Sequence, residues 1–117
     1  MSELKWTEII NEKELSDATD GEMVAIEVES SEGDLLAINL VRDPNQPAGW
    51  LAFENRCSHD GEPLDEGDTD LAHCAVACPR HGAEFNMKTG AVLSMPASES
   101  IAAYEIKVEN GSIWLKI

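Results

Sequence analysis

The sequence predicts an all-β, antiparallel domain with a loop-rich subdomain inserted into it. Stretches that alternate apolar and polar residues, typical of half-buried strands, occupy both ends of the chain, and no window shows a sustained helical period. The middle, about residues 56–97, differs because it holds all three cysteines and all three histidines. With 117 residues and 12.7 kDa the chain suits one compact core. We therefore expect a single domain, 1–117, in which 56–97 is inserted into a β base of about 1–55 and 98–117.

The first predicted elements are a hairpin and a third strand. Residues 23–30 alternate apolar and polar side chains, 31–34 supply a turn, and 35–41 continue as a more buried strand. Another strand is predicted over 50–55. It follows the loop 43–49, whose two prolines and glycine interrupt any ladder.

The C-terminal end predicts a second hairpin. Its strands are expected over 102–109 and 112–117, joined by Asn110-Gly111, the preferred pair for a type I′ turn because both residues tolerate positive φ. In the first third of the chain, only 11–20 is a candidate for a helical turn.

Two short motifs in the middle segment each combine a cysteine with a histidine. They read Cys57-Ser58-His59 and Cys78-Pro79-Arg80-His81, with eighteen residues between His59 and Cys78. A glycine closely follows each motif, Gly61 and Gly82, and allows the tight turns that would direct both pairs toward one point. Two sulfur and two nitrogen ligands suit either a tetrahedral zinc site or an iron–sulfur cluster with mixed ligation.

The paired motifs resemble those of the Rieske proteins, in which Cys-x-His is followed, after some fifteen to twenty residues, by Cys-x-x-His. The resemblance continues through 82–86 (GAEFN), 88–90 (KTG), 95–97 (MPA) and 104–108 (YEIKV), in the order found in Rieske ferredoxins of bacterial multicomponent oxygenases. It covers 50–117 and reaches the earlier residues only through their strand-like pattern. It implies a Rieske-like antiparallel β-sandwich with an inserted cluster-binding subdomain.

The resemblance also implies the cofactor, one [2Fe–2S] cluster, and its ligands. Cys57 and Cys78 would bind one iron as thiolates, and His59 and His81 the other as neutral imidazoles. Two ferric ions, two sulfides and two thiolates sum to zero charge, whereas four thiolates would leave a dianion. Histidine ligation therefore raises the potential toward roughly −150 mV or above, from about −400 mV for plant-type ferredoxins. Pro96 is expected in a segment that covers the third side of the cluster.

Four positions predict a low-potential, ferredoxin-like member. High-potential family members carry two further cysteines that clamp the ligand loops with a disulfide, and the corresponding residues here are Glu62 and Arg80. Those members also place hydroxyl donors near the cluster, where this chain has Ala83 and Phe85. Fewer hydrogen bonds to the sulfurs, together with an acidic surface, favour the oxidised state.

Charge limits the partners. With 23 acidic and 8 basic residues the net charge is −15, which argues against nucleic acid and anionic membranes. The polar first residues and the lack of a membrane-length apolar run predict a cytoplasmic protein, as does the odd number of cysteines. Acidic residues crowd between the motifs, where they form either a surface that docks on a basic patch or a solvated loop. They are Glu62, Asp65, Glu66, Asp68 and Asp70.

The leading functional hypothesis is an electron carrier between a flavin-dependent reductase and a terminal oxygenase, without a substrate site of its own. Once the cluster ligands are assigned, only His73 remains, too few histidines for an oxygenase iron site with two histidines and a carboxylate. One alternative is a Rieske-fold small subunit of an assimilatory nitrite reductase or another redox complex. Another is a zinc-binding interaction module.

Some residues near the motifs receive no functional role. Cys74 is interpreted as a small apolar filler of a strand over 72–78, rather than as half of a redox pair. His73 is expected at the surface. Trp6, Trp50 and Trp114 are expected to pack in the core or at sheet edges.

Overall fold

The computed structural model describes residues 4–58, 61–80, 82–95 and 99–117. In these ranges the chain forms ten β-strands and one short 3₁₀ turn, Glu12–Leu15, which confirms the predicted all-β class. The strands are β1 (Trp6–Asn11), β2 (Met23–Glu29), β3 (Leu35–Arg42), β4 (Trp50–Glu54), β5 (Asp68–Asp70), β6 (Ala75–Ala77), β7 (Glu84–Asn86), β8 (Val92–Ser94), β9 (Ile106–Glu109) and β10 (Ser112–Lys116). No helix in the described part of the chain has the length and hydropathy needed to cross a membrane.

The strands form three antiparallel sheets, ordered β1-β10-β9, β2-β3-β4 and β5-β6-β7-β8. The first two sheets, which we call the base, share one core of apolar side chains, the base core. Its buried members are Leu15, Ile38, Leu40, Trp50, Ala52, Ile113, Leu115 and Ile117. The third sheet belongs to a second core, the cysteine core. Its buried members are Val41, Leu51, Phe53, Cys57, Leu64, Val76, Cys78, Ala83, Phe85, Met87 and Ile101.

Strand β4 faces both cores. Trp50 and Ala52 point into the base core, whereas Leu51 and Phe53 point into the cysteine core. This explains the continuous apolar run at the start of β4, because a strand covered on both faces has no reason to alternate. The sheet β2-β3-β4 therefore lies between the base core and the cysteine core.

The first predicted hairpin is confirmed. Strands β2 and β3 pair in continuous register from Met23↔Val41 to Glu29↔Leu35. In the turn, Ser30 Oγ accepts hydrogen bonds from the main-chain N–H groups of Glu32 and Asp34, at 3.3 and 3.1 Å. A serine side chain thus stabilises the turn that closes the hairpin.

The C-terminal hairpin is confirmed in its turn, but its first strand is shorter than predicted. Asn110 and Gly111 have φ of 53° and 78°, as a type I′ turn requires. Regular pairing with β10 begins only at Ile106. Upstream, Glu54 N donates to Ala102 O at 2.8 Å and Tyr104 N to Ala52 O at 3.0 Å, so residues 102–104 lie against β4. The predicted strand over 102–109 was wrong in this part, because sequence alternation does not show which sheet a strand joins.

Strand β1 has no counterpart in the sequence predictions. It pairs with β10, with a register shift between Glu8 and Ile10. The candidate helical turn within 11–20 is a single 3₁₀ turn, in which Asn11 Oδ1 accepts from Lys13 N at 2.9 Å. Trp50 lies in the base core, as expected, while Trp6 is partly exposed on β1.

Candidate metal centre

Both motif cysteines lie in the cysteine core. Cys57 is 0% exposed and Cys78 is 2% exposed, and they belong to the same cluster of buried side chains as Phe85. Cys57 follows the end of β4 by three residues, and Cys78 directly follows β6. The structure therefore brings the two predicted thiolate ligands into one buried region. His59 and His81 lie outside the described residues, and their placement stays a prediction.

The first ligand loop is closed by main-chain hydrogen bonds. Cys57 N donates to Glu62 O at 2.8 Å, and Gly61 N donates back to Cys57 O at 2.8 Å. Gly61 has φ of 79°, a left-handed conformation that other residues adopt only with strain. The tight turn predicted from this glycine is confirmed.

The second ligand loop repeats the same ring. Cys78 N donates to Ala83 O at 2.7 Å, and Gly82 N donates to Cys78 O at 3.0 Å. Gly82 has φ of 72°, close to that of Gly61. Each cysteine thus occupies the same point of a ring with the same hydrogen-bonding pattern, and both rings rest on one core.

The described donors fit a group that takes two thiolates. Two buried cysteines on matching turns, each held by main-chain hydrogen bonds, are a donor pair that one metal centre can bind. Counted from the cysteine as the first position, the histidine is at the third position of the first motif, His59, and at the fourth position of the second, His81. The donor chemistry of the complete motifs, two sulfurs and two imidazoles, is that of a Rieske cluster or of zinc.

Asn55, which the sequence analysis missed, anchors the first loop. Its Oδ1 accepts from Asn39 Nδ2 at 2.8 Å, from Leu64 N at 2.8 Å and from Asp65 N at 3.0 Å. Its Nδ2 donates to Asp65 Oδ1 at 3.1 Å. One side chain therefore ties the chain on both sides of Cys57 to the base. An asparagine after a strand is too common in sequences to have signalled this role.

Gly67 allows the segment after the first loop to pack against the residue that precedes Cys78. A Cβ on Gly67 would lie 1.9 Å from Ala77 O, far inside van der Waals contact. Gly67 N also donates to Leu64 O at 3.0 Å. Only glycine fits this close approach, which connects the two loops through the main chain.

The segment expected to cover the third side of the site is described only at its edges. Pro96 lies outside the described residues. On its far side, Glu99 O accepts a hydrogen bond from Ser58 Oγ at 2.5 Å, inside the first ligand loop. On its near side, Met95 is 85% exposed. The structure thus shows that the chain passes the first ligand loop at Glu99. The covering role of the segment around Pro96 stays a prediction.

The two clamp positions are in contact. Arg80 Nη1 lies 2.9 Å from Glu62 Oε1, so an ion pair joins the two ligand loops. The other two positions named above, Ala83 and Phe85, are fully buried in the cysteine core. The resemblance predicted only that a disulfide would be missing, and the ion pair is new information from the structure.

Cys74 packs as expected but does not lie in a strand. It is half-buried against the cysteine core, in the turn before β6, with φ of 54°. Its O accepts from Met87 N at 2.8 Å, and its N donates to Leu71 O at 3.2 Å. The predicted strand over 72–78 was wrong for this residue because the chain reverses there and β6 begins only at Ala75.

His73 is exposed, as predicted, and pairs with Asp70. Its Nδ1 lies 2.8 Å from Asp70 Oδ2. This hydrogen bond raises the pKa of His73 above 6.5, and nearby carboxylates contribute to the same direction. The same contact lowers the pKa of Asp70 below 3.8. Part of the acidic segment therefore has local bonds: Glu62 contacts Arg80, Asp65 contacts Asn55 and Asp70 contacts His73.

Comparison with known families decides between the two kinds of metal site. The model of the Rieske [2Fe-2S] domain matches residues 5–105. The chain belongs to the Rieske family. Its cofactor is one Rieske-type [2Fe–2S] cluster, as predicted, and the zinc module is set aside.

Relatives of this Rieske chain include oxygenase ferredoxins. The 3-phenylpropionate/cinnamic acid dioxygenase ferredoxin subunit of Escherichia coli (strain K12) is 35% identical over 68 residues. That match covers 58% of this chain and 63% of the relative, which is less than two thirds of the relative's length.

Solved structures share the fold of this Rieske chain. The ferredoxin of carbazole 1,9a-dioxygenase from Nocardioides aromaticivorans IC177 superposes with a TM-score of 0.76 at 22% identity, covering 95% of this chain and 96% of the other. A chain from the complex of reduced oxygenase and oxidised ferredoxin in carbazole 1,9a-dioxygenase gives a TM-score of 0.73 at 24% identity, covering 93% and 99%. At this identity the likeness establishes the fold.

Proposed function

We propose that this Rieske chain is the ferredoxin component of a multicomponent oxygenase, an electron carrier between a flavin-dependent reductase and a terminal oxygenase. The single observation that carries the proposal is the 35% identity to a dioxygenase ferredoxin subunit. A ferredoxin of the same fold occurs in complex with its oxygenase in the carbazole system. These relatives favour the carrier over the small subunit of a nitrite reductase. In this role the chain needs no substrate site of its own.

In the proposed site, Cys57 and Cys78 hold one iron as thiolates, and His59 and His81 hold the other. When bound, the cluster takes up and releases one electron at a time. The chain's own contribution is to keep the ligands fixed and the sulfurs dry. The two hydrogen-bonded rings fix the cysteine backbones, and the buried apolar side chains around them exclude water. A rigid, dry site lets an electron enter with little rearrangement of the protein.

The buried surroundings support a low potential. Ala83 and Phe85 are fully buried beside the cysteines and offer the sulfurs no hydroxyl donor. A net charge of −15 also disfavours adding an electron. We expect a pH 7 midpoint in the lower part of the Rieske range, and a value of roughly +200 mV or more would contradict this expectation.

The acidic surface supports docking onto a basic patch of the partner enzymes. Glu66 and Asp68 are exposed and form none of the local bonds described above. If charge guides docking, electron delivery to the oxygenase should slow as ionic strength rises. A delivery rate that stays constant between low and high salt would argue for a docking surface of another kind.

Electron paramagnetic resonance of the dithionite-reduced protein tests the proposal most directly. A rhombic signal with a mean g value below that of all-cysteine clusters is expected, together with equal amounts of iron and acid-labile sulfide. Stopped-flow mixing with an oxygenase reductase should then show reduction of the cluster. A cluster that no flavin-dependent reductase reduces would leave the family assignment intact but remove the carrier role.

A further inference from the structure

We propose that Glu62 and Arg80 form an electrostatic clamp that holds the two ligand loops together and slows loss of the cluster. The inference rests on the proposed ligation by Cys57 and Cys78, because a clamp between these loops matters only if both cysteines bind one group.

The ion pair joins the two rings directly. Glu62 is a member of the first ring, since its O accepts from Cys57 N at 2.8 Å. Arg80 lies inside the second ring, between Cys78 and the residue that closes it. The 2.9 Å contact between Arg80 Nη1 and Glu62 Oε1 therefore connects two units that are each closed by their own main-chain bonds.

The ion pair acts on the relative position of the two rings, which determines the distance between the two sulfur atoms. Each ring is closed by its own main-chain hydrogen bonds, so the distance between the two thiolates depends on the position of one ring relative to the other. On the buried side of the loops, the cysteine core and the close approach of Gly67 to Ala77 determine this relative position. The pair of Glu62 and Arg80, 38% and 62% exposed, adds a bond at the surface side. The core contacts and the ion pair therefore hold the two ligand loops together on their buried and their exposed sides.

Other ion pairs of the described residues are local. Lys107 and Glu109 pair on strand β9. Lys116 of β10 pairs at 3.7 Å with Glu105, the residue directly before β9. Among the described residues, the pair of Glu62 and Arg80 is the ion pair that crosses between the ligand loops. Its position, rather than its strength, singles it out.

The expected effect is modest because the pair is exposed. Exposed ion pairs lie at the weak end of protein interactions and are screened by salt. If the pair must open before a loop releases its thiolate, breaking it should speed cluster loss by about two- to five-fold. The effect should fade in high salt, where the wild-type pair is already weakened.

The test uses the holoprotein and the bleaching of its visible absorbance in excess EDTA. Glu62→Gln and Arg80→Gln should each lose the cluster about two- to five-fold faster than the wild type at low ionic strength. The double variant should be no faster than either single variant, because both remove the same contact. The exchanged variant, Glu62→Arg with Arg80→Glu, should recover most of the wild-type rate. In 1 M NaCl the wild type should approach the single variants.

Glu105→Gln is the matched control, because it removes an exposed ion pair away from the ligand loops, and it should bleach at the wild-type rate. Equal rates for the wild type and all Glu62 and Arg80 variants would overturn the clamp while leaving the ligand assignment standing. An exchanged variant as fast as the single variants would also overturn it. A wild-type protein without iron and sulfide would instead refute the ligation itself, and the clamp with it.

Discussion

The base and the cysteine-bearing half (residues 55–101) are built in different ways. Strands of the base have four to eight residues, whereas β5 to β8 have three each. The base depends on longer ladders and on a core of apolar side chains. The cysteine-bearing half depends on single residues with several contacts each, such as Asn55 and Gly67. The predicted metal site therefore lies in the half whose structure depends more on individual residues.

The two halves are nevertheless coupled through β4. Leu51 and Phe53 belong to the cysteine core, while Trp50 and Ala52 belong to the base core. Strand β3 also contributes to both cores, through Ile38 and Leu40 on one side and Val41 on the other. Substitutions can therefore test whether stability and cluster retention separate between the halves.

The largest expected effect is loss of the cluster when a thiolate ligand is removed. Cys57→Ser and Cys78→Ser should abolish the visible absorbance and the iron content, while Cys74→Ser, the matched control, should keep both. Hydrogen exchange should show loosening confined to the cysteine-bearing half. Equal loosening of β1 and β10 would show that the base depends on the site. In a separate test of the proposed histidine ligand, His81→Cys should keep iron and lower the potential, because a third thiolate adds negative charge.

A truncation in each core should separate stability from cluster retention. Phe85→Ala should lower the free energy of unfolding by about 3–5 kcal/mol and speed cluster loss, because Phe85 is fully buried in the same core as both cysteines. Leu115→Ala, fully buried in the base core, should cost about 2–5 kcal/mol. Below its unfolding transition it should keep the cluster at the wild-type rate. Chemical denaturation followed by circular dichroism and by visible absorbance measures both quantities, and faster cluster loss in both variants would mean that the cores act as one.

Removing the Asn55 side chain should cost about 2 kcal/mol, because the main-chain donors of Leu64 and Asp65 lose their acceptor. Asn45→Ala, at an exposed position in the loop before β4, is the control and should change the free energy of unfolding by less than about 0.5 kcal/mol. Denaturant titration of the two variants gives the comparison. Similar values for both would mean that the first loop does not need this anchor.

The smallest expected effect concerns the exposed pair of Asp70 and His73. Since the pKa of His73 is raised, the pair's contribution is present below pH 6.5 and is lost as pH rises through the raised pKa. Since the pKa of Asp70 is lowered, its contribution is present above pH 3.8 and is lost as pH falls through the lowered pKa. The pair is therefore strongest between the two pKa values. NMR titration of the imidazole should give a pKa above 6.5 in the wild type and a lower one in Asp70→Asn.

Much of the base could be predicted from the sequence because its strands are long enough to show a period. The alternation over 23–30 and the Asn110-Gly111 pair predicted two hairpins that the structure contains. Strand β1, with the sequence WTEIIN, breaks its alternation at two neighbouring isoleucines, where the register with β10 also shifts. Strand β1 pairs with β10, about a hundred residues away along the chain, and a local sequence pattern does not show such a distant partner.

The sequence predicted candidate ligands and the turns beside them, but not the residues that support the site. Two cysteines, two histidines and two glycines form a pattern specific enough to identify the family, and the structure confirms the turns at Gly61 and Gly82. The strands β5 to β8 are too short to show a period of two. The role of Asn55 and the contact between Glu62 and Arg80 depend on three-dimensional proximity, for which the sequence has no local signal.

The hydrogen bond from Glu54 N to Ala102 O has a consequence for protein engineering. Through it, the chain leaves the base for the cysteine-bearing half and returns from it at neighbouring points 2.8 Å apart. Neighbouring ends are what makes an inserted segment tolerated. The 55–101 segment should thus be exchangeable among relatives as a cassette with two junctions, provided that Val41, Leu51 and Phe53, which lie beneath it, are exchanged too. The redox properties could then be redesigned while the rest of the base stays unchanged.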